Sequence, residues 1–381
     1  MVDLSKFLKS IYVIEIPMSK KCNLRCSYCY IRDATYKQIE IKANEVIPLL
    51  EPIRKVFPNI LKPNTPCKII PWGAEPLCQW DTIEEVLTYI FQNYSDCPVT
   101  TNWSTNATTT PESYVKFVKK HWDKIESIQL SLDGPQEVHD YARKTAGGEG
   151  SFHKVMEHYE IMTKEIPDFT SKLMIKSTLS PEQVKKGHFY KACEFFWEEL
   201  KHPMSPVTLV KDSVYDEEAA QALDEDLYRC KEYCEKNEKA QLGWFVYFNR
   251  PNNVCSACHS QVCVDLDGSI YHCHGPSTDN TKQDYFKLGN VYAEYLDPKA
   301  VYRNVYFKYN YDLIRAAFCK QQECEVYQEF PFLCWQCPMD MHNLNRLHYS
   351  PNFHFCKIVK VFYKHYKEWG QSNFERTIPA C

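Results

Sequence analysis

Over its first 240 residues the chain alternates short strand-like runs with amphipathic helical runs, and that alternation leaves few folds open. Strand candidates fall at 11–18, 68–72, 99–104, 127–132, 172–179 and 207–211. Between them apolar residues recur at helical spacing. In residues 81–94, Ile83, Val86, Leu87 and Ile90 share one face, and Asp81 with Glu84 predicts a capping-box start. Ser180-Pro181-Glu182-Gln183 opens another helix with a cap residue, a proline at the first helical position and a glutamine three residues after the cap. Residues 216–237 predict a long helix ahead of a cysteine-rich end. Six β-then-α units call for a parallel sheet covered by helices. There is no internal repeat, and the sequence divides best near residue 245, into 1–245 and 246–381.

Directly after the first strand candidate stands CNLRCSYCY, which places Cys22, Cys26 and Cys29 at CxxxCxxC spacing with Tyr28 before the third cysteine. In parallel α/β folds the ligand lies beyond the carboxyl ends of the strands, so this loop is where chemistry is expected. Soft thiolates select zinc, copper(I) or iron–sulfur clusters. A [4Fe–4S] cluster normally takes four thiolates, so three in one loop leave a corner open for a bound reactant. The motif resembles the signature of the radical S-adenosylmethionine (SAM) family. The resemblance implies a partial (β/α)6 barrel. It also implies a cluster on Cys22, Cys26 and Cys29 that cleaves SAM to methionine and a 5′-deoxyadenosyl radical.

Further segments resemble that family in the right order, each after its own strand candidate. Trp72-Gly73-Ala74-Glu75-Pro76 is similar to its GGEP segment, with alanine for the second glycine. There a glycine turn lets backbone come close to a ligand, and a carboxylate accepts from the methionyl amino group. Thr105-Asn106 and Ser131-Leu132-Asp133-Gly134-Pro135 match segments that contact SAM or line its pocket, and Arg143 matches an arginine near the SAM carboxylate. The implied SAM-binding residues are thus Tyr28, Gly73, Glu75, Asn106, Ser131, Asp133 and Arg143. In anaerobic sulfatase-maturating enzymes a tyrosine stands in place of Ile31 and a glutamine in place of Trp72, both near substrate. On that ground sulfatase maturation is not expected here.

Nineteen cysteines, ten of them from Cys255 to Cys381, point to metal rather than disulfides in a chain with no secretion signal. Cys255-Ser256-Ala257-Cys258, then Gly268 and Cys273 at C-x9-G-x4-C spacing, resemble the SPASM extension of peptide-modifying radical SAM enzymes. Asp267-Gly268-Ser269 predicts a hairpin turn that returns Cys273 toward Cys258. Cys319, Cys324, Cys334, Cys337 and Cys356 keep the family order, although their gaps x4, x9 and x2 differ from its x2, x5 and x3. The resemblance implies two auxiliary [4Fe–4S] clusters, one on Cys255, Cys258, Cys273 and Cys337, the other on Cys319, Cys324, Cys334 and Cys356. With the SAM cluster that makes three. Cys263, within the hairpin, is a further ligand or hydrogen-atom donor in one reading and a core thiol in another. His274 stands where sulfatase-maturating enzymes have an aspartate proposed as base, and a histidine suits that task at neutral pH. The pairs 255/258 and 334/337 also fit a zinc ribbon.

A net charge of −4 offers no general attraction to nucleic acid or acidic membranes, and no apolar run is long enough to span a bilayer. A cytoplasmic enzyme is expected, working on a ribosomal precursor peptide and fed by an electron donor such as a flavodoxin or ferredoxin. The expected outcome is an oxidative thioether or carbon–carbon crosslink. Peptide epimerisation, a small-molecule dehydrogenase, and a non-enzymatic iron–sulfur or zinc protein are the alternatives. The short stretch before Cys22 leaves leader recognition to the barrel surface, the cysteine-rich end or another protein.

Overall fold

The structure is a computed structural model that describes residues 3–29, 31, 38–202, 204–210, 213–237, 240–242, 257, 259–275, 286–304, 319–321, 323–329 and 353–369. Its strands are β1 Val13–Ser19, β2 Cys67–Gly73, β3 Val99–Thr105, β4 Ile125–Ser131, β5 Leu173–Leu179, β6 Met204–Ser205 and β7 Val207–Leu209. They continue with β8 Gln241–Leu242, β9 Gln261–Val264, β10 Ser269–Tyr271, β11 Lys287–Asn290 and β12 Tyr295–Leu296. All six strand candidates are found, within about three residues at each end. The fold class is the expected one, mixed α/β with a parallel sheet covered by helices.

Two compact units are present, interleaved along the chain. The first comprises 1–131, 143–175 and 255–308, and its strands run in the order β12-β11-β10-β9-β1-β2-β3-β4. The pairings β9–β1, β1–β2, β2–β3 and β3–β4 are parallel, while β9 through β12 form antiparallel pairs. Every residue of β1 is buried, and the strand is flanked by β2 and β9. This is why it reads as a nearly continuous apolar run. The helix Trp80–Asn93 buries Trp80, Ile83, Val86, Leu87, Ile90 and Phe91, each worth about 1.5–3 kcal/mol in this position. Its start differs from the expected capping box. The helix continues from the 3₁₀ turn Pro76–Gln79, one residue earlier, and Glu84 accepts instead from the Trp80 indole at 3.1 Å.

The second unit comprises 132–142, 176–254 and 309–381. Within it Ser177–Leu179 of β5 pairs in parallel with β7. The helix Pro181–Lys185 carries the expected capping box between Ser180 and Gln183, and Asp216 caps the helix Glu217–Lys236 by accepting from Ala219 N at 3.0 Å. That long helix is tied to the helix Phe353–Trp369 through Asp224, which meets His365 Nε2 at 2.8 Å and Lys364 Nζ at 3.1 Å. Among the described residues no helix is long and apolar enough to cross a membrane.

Candidate active site

The carboxyl ends of β1, β2 and β3 are stitched together by backbone and by one buried carboxylate. Ala74 N donates to Ser19 O at 3.0 Å and Glu75 N to Lys21 O at 2.9 Å, while Ser19 Oγ donates to Glu75 O at 2.8 Å. The approach is so close that a Cβ on Gly73 would lie 2.0 Å from Ser19 O, so only glycine fits there. Ala74, by contrast, is accommodated. Glu75 is buried, and its carboxylate accepts from Leu77 N at 3.0 Å, Thr105 Oγ1 at 2.6 Å and Asn106 N at 2.6 Å. Burial pushes its pKa up. The Thr105, Asn106 and Leu77 bonds and the charge of Arg143 act against that rise. Three donors to Glu75 thus come from the chain itself, which makes this residue a tie between β2 and β3.

The cysteine loop lies directly against this tie. Cys22 Sγ accepts from Leu24 N at 3.4 Å and from Asn106 Nδ2 at 3.7 Å, and Cys29 N closes a turn onto Cys26 O at 3.1 Å. Arg25 Nη1 donates to Cys22 O and Leu24 O, both at 2.8 Å, and Arg25 N donates to Lys144 O at 2.6 Å. Cys22, Cys26 and Cys29 are half-buried. Burial, then the charge of Glu75, pushes the Cys22 thiol up to about 12. Such a thiol stays protonated unless a metal stabilises the thiolate. Among the described residues no three His, Cys, Asp or Glu side chains already form a metal-holding group. Three soft thiols in one loop, with N–H groups aimed at a sulfur, nonetheless fit an iron–sulfur cluster, whose binding would also draw the thiols together.

The remaining expected SAM residues divide between the units. Arg143 is buried in the first, with its guanidinium carbon 5.4 Å from the centre of the Tyr28 ring, a cation–π contact. Ser131 ends β4 and is half-buried. Asp133 belongs to the second unit and is fully buried. Its Oδ1 accepts from Thr178 N at 3.0 Å, its carbonyl from Ser177 Oγ at 2.8 Å, and its N–H faces His139 Nδ1 at 3.3 Å.

His274 has a partner that the sequence reading missed. Its ring Nδ1 lies 3.0 Å from both carboxylate oxygens of Glu15, and its backbone N–H donates to Glu15 Oε2 at 3.2 Å. The imidazole also stacks on Trp72, with centroids 5.0 Å apart and planes at 20°. Glu15 is 5% exposed in the middle of β1. A lone charge in the run Val13-Ile14-Glu15-Ile16 was the available signal, because a buried carboxylate requires a partner. Cys273 is half-buried. Cys263 is fully buried on β9, in register with Glu15.

The expected hairpin is present, with β9 and β10 antiparallel and Gly268 at φ +81°, a left-handed conformation that favours glycine. In the second unit Cys324 N donates to Cys319 O at 3.0 Å, so these two cysteines bracket one turn, and Cys356 lies in the helix Phe353–Trp369. Cys255, Cys258, Cys334 and Cys337 lie outside the described residues.

Comparisons with known proteins bear on the same segment of the chain. Residues 16–186, which span β1 through the Cys triplet to the helix Pro181–Lys185, match the Radical SAM superfamily. A cysteine-type anaerobic sulfatase-maturating enzyme of Clostridium novyi is 26% identical over 301 residues, covering 74% of this chain and 77% of that one. One from Clostridium perfringens is 22% identical over 377 residues, covering 92% and 94%. Among solved structures, "Native anSMEcpe with bound AdoMet and Cp18Cys peptide" shares the fold with a TM-score of 0.68 at 20% identity, covering 96% of this chain and 99% of that one. The superfamily match falls on the cysteine loop and on the strands that carry it, so the likeness to the Radical SAM superfamily rests on residues 16–186 of this chain.

Proposed function

We propose that this enzyme oxidises one side chain of a peptide or protein substrate, in the manner of the sulfatase-maturating enzymes. The observation that carries the reading is the near end-to-end likeness to the Clostridium perfringens relative, 92% of one chain against 94% of the other. This moves the reading away from the expectation drawn from Ile31 and Trp72, and makes a cysteine or serine residue the first substrate to test. When bound, the cluster and SAM supply the radical that takes a hydrogen atom from the substrate carbon. The protein's own residues would do the rest. Turning CH2–OH into CH=O, or CH2–SH into CH=S, also releases one proton and one electron. His274, oriented by Glu15 and Trp72, is the proposed acceptor of the proton. The electron would pass to auxiliary clusters in residues 246–381, on Cys273, Cys319, Cys324 and Cys356 with Cys255, Cys258, Cys334 and Cys337. A flavodoxin or ferredoxin would supply the reducing electron.

A second reading, an oxidative crosslink in a precursor peptide, is favoured by the buried Ile31 and by Trp72 stacked on His274. The two readings separate in one experiment. Anaerobically reconstituted enzyme, SAM and dithionite are incubated with cysteine- or serine-containing peptides, and the products are treated with a carbonyl-reactive hydrazide. Oxidation to a carbonyl gives a hydrazone, whereas a crosslink loses two hydrogens and stays unreactive. Release of 5′-deoxyadenosine with every peptide unchanged would reject both.

A further inference from the structure

Around Cys22 the chain builds a closed ring of polar side chains. Asn23 Nδ2 donates to Thr108 Oγ1 at 2.7 Å, and the Thr108 hydroxyl donates to Asn106 Oδ1, also at 2.7 Å. Thr108 N donates to the same Asn106 Oδ1 at 3.1 Å. Asn106 Nδ2 then donates to Asn23 Oδ1 at 3.1 Å, and the same amide nitrogen stands 3.7 Å from Cys22 Sγ. The ring decides which way the Asn106 amide faces. Two donors from Thr108 meet one end of it, so that end must be the oxygen, and the N–H end is left toward the sulfur. Asn106 and Thr108 are 7% and 8% exposed, so water competes little for these groups. The backbone beneath is held as well, because Asn106 N is bound by Glu75.

From this geometry we infer that Asn23 and Thr108 are positioning residues that aim the Asn106 N–H at the Cys22 sulfur and thereby raise the reduction potential of the cluster bound there. The inference rests on the reading of Cys22, Cys26 and Cys29 as cluster ligands. An N–H dipole pointed at a ligand sulfur stabilises the added negative charge of the reduced state, and hydrogen bonds to sulfur are a principal control of iron–sulfur potentials. Leu24 N reaches the same sulfur from the backbone and cannot rotate away, so the Asn106 contact is the adjustable one.

The decisive variant is Thr108→Val, which keeps the shape of the side chain and removes the hydroxyl that both accepts from Asn23 and donates to Asn106. The full chain is reconstituted anaerobically, and the midpoint potential of the SAM cluster is read by EPR-monitored redox titration in a background where Cys273, Cys319, Cys324 and Cys356 are replaced by alanine. The expected result is a fall in potential at unchanged iron content, restored by Thr108→Ser. Asn23→Ala should shift it in the same direction. An unchanged potential in both Thr108→Val and Asn23→Ala would overturn the inference. If Thr108→Val assembles no cluster, Asn23→Ala, at the more exposed side of the ring, decides the outcome alone. Failure of the parent background itself to bind iron at Cys22, Cys26 and Cys29 would reject the ligand assignment instead.

Discussion

Glu15 Oε1 and Oε2 both lie 3.0 Å from His274 Nδ1, which joins the middle of the first strand to a residue 259 positions further along the chain. A bond from the backbone of His274 to the same carboxylate fixes the residue at two points. The proposed proton acceptor thus has a ring whose tilt is set by a buried partner and by the Trp72 face.

If His274 takes the substrate proton, His274→Ala should lower peptide oxidation by about 10²–10⁴-fold. Release of 5′-deoxyadenosine should continue. Glu15→Gln, which keeps an acceptor but loses the charge, should lower product by a smaller factor in the same direction. The check is the ratio of 5′-deoxyadenosine to modified peptide, which should rise in both variants. A ratio equal to that of the parent would remove His274 from the chemistry.

Glu75→Ala should destabilise the apoprotein by about 3 kcal/mol or more, because Thr105 Oγ1 and Asn106 N would lose their buried acceptor. Glu75→Gln, which retains one carbonyl oxygen, should cost less. Urea unfolding of the metal-free chain measures both.

Two glycines should respond differently to alanine. At Gly73 the new Cβ meets backbone, Ser19 O at 2.0 Å, and the ends of β1 and β2 must separate. Low soluble yield and loss of bound iron are expected. At Gly268 the Cβ meets the Tyr292 ring at 2.4 Å, but that ring is 52% exposed and can swing aside. What remains is the left-handed backbone, a cost of about 1 kcal/mol. Iron content and urea midpoints, compared side by side, test the contrast.

Stability should fall on acidification through His158. Its ring is buried against Tyr114, and burial lowers its pKa from 6.5 to about 4. The unfolded chain therefore binds a proton that the folded chain refuses. The contribution is fully present above pH 6.5, declines as pH falls, and is lost by about pH 4, a total of about 3 kcal/mol. His158→Gln should flatten the urea midpoint against pH in this window, and an unchanged slope would count against the assignment.

Much of this was legible in the sequence because it is local. The strand runs, the Ser180–Gln183 capping box, the long helix predicted over 216–237, the hairpin at Gly268 and the cysteine triplet each depend on residues within a few positions of one another. Partners were not legible. Nothing in Gln261–Val264 announces that it pairs with β1, and nothing in Thr108 announces that it orients Asn106. Glu75 reads as a ligand-binding carboxylate in its motif, yet its bonds to Thr105 and Asn106 depend on where β3 ends. Glu15 could have been found, since a carboxylate in a strand this apolar must be answered from elsewhere in the fold.

The parallel pairing of β9 with β1 has a consequence for how the molecule is born. Ser19 and Gln261 are made far apart in time, and at a synthesis rate of about 5–20 residues per second the gap lasts roughly 10–50 s. Throughout that interval the strand leading into the cysteine loop has one edge without its final neighbour. The newborn chain therefore leaves the ribosome with its cysteine loop emerging early and the strand that completes its support arriving late.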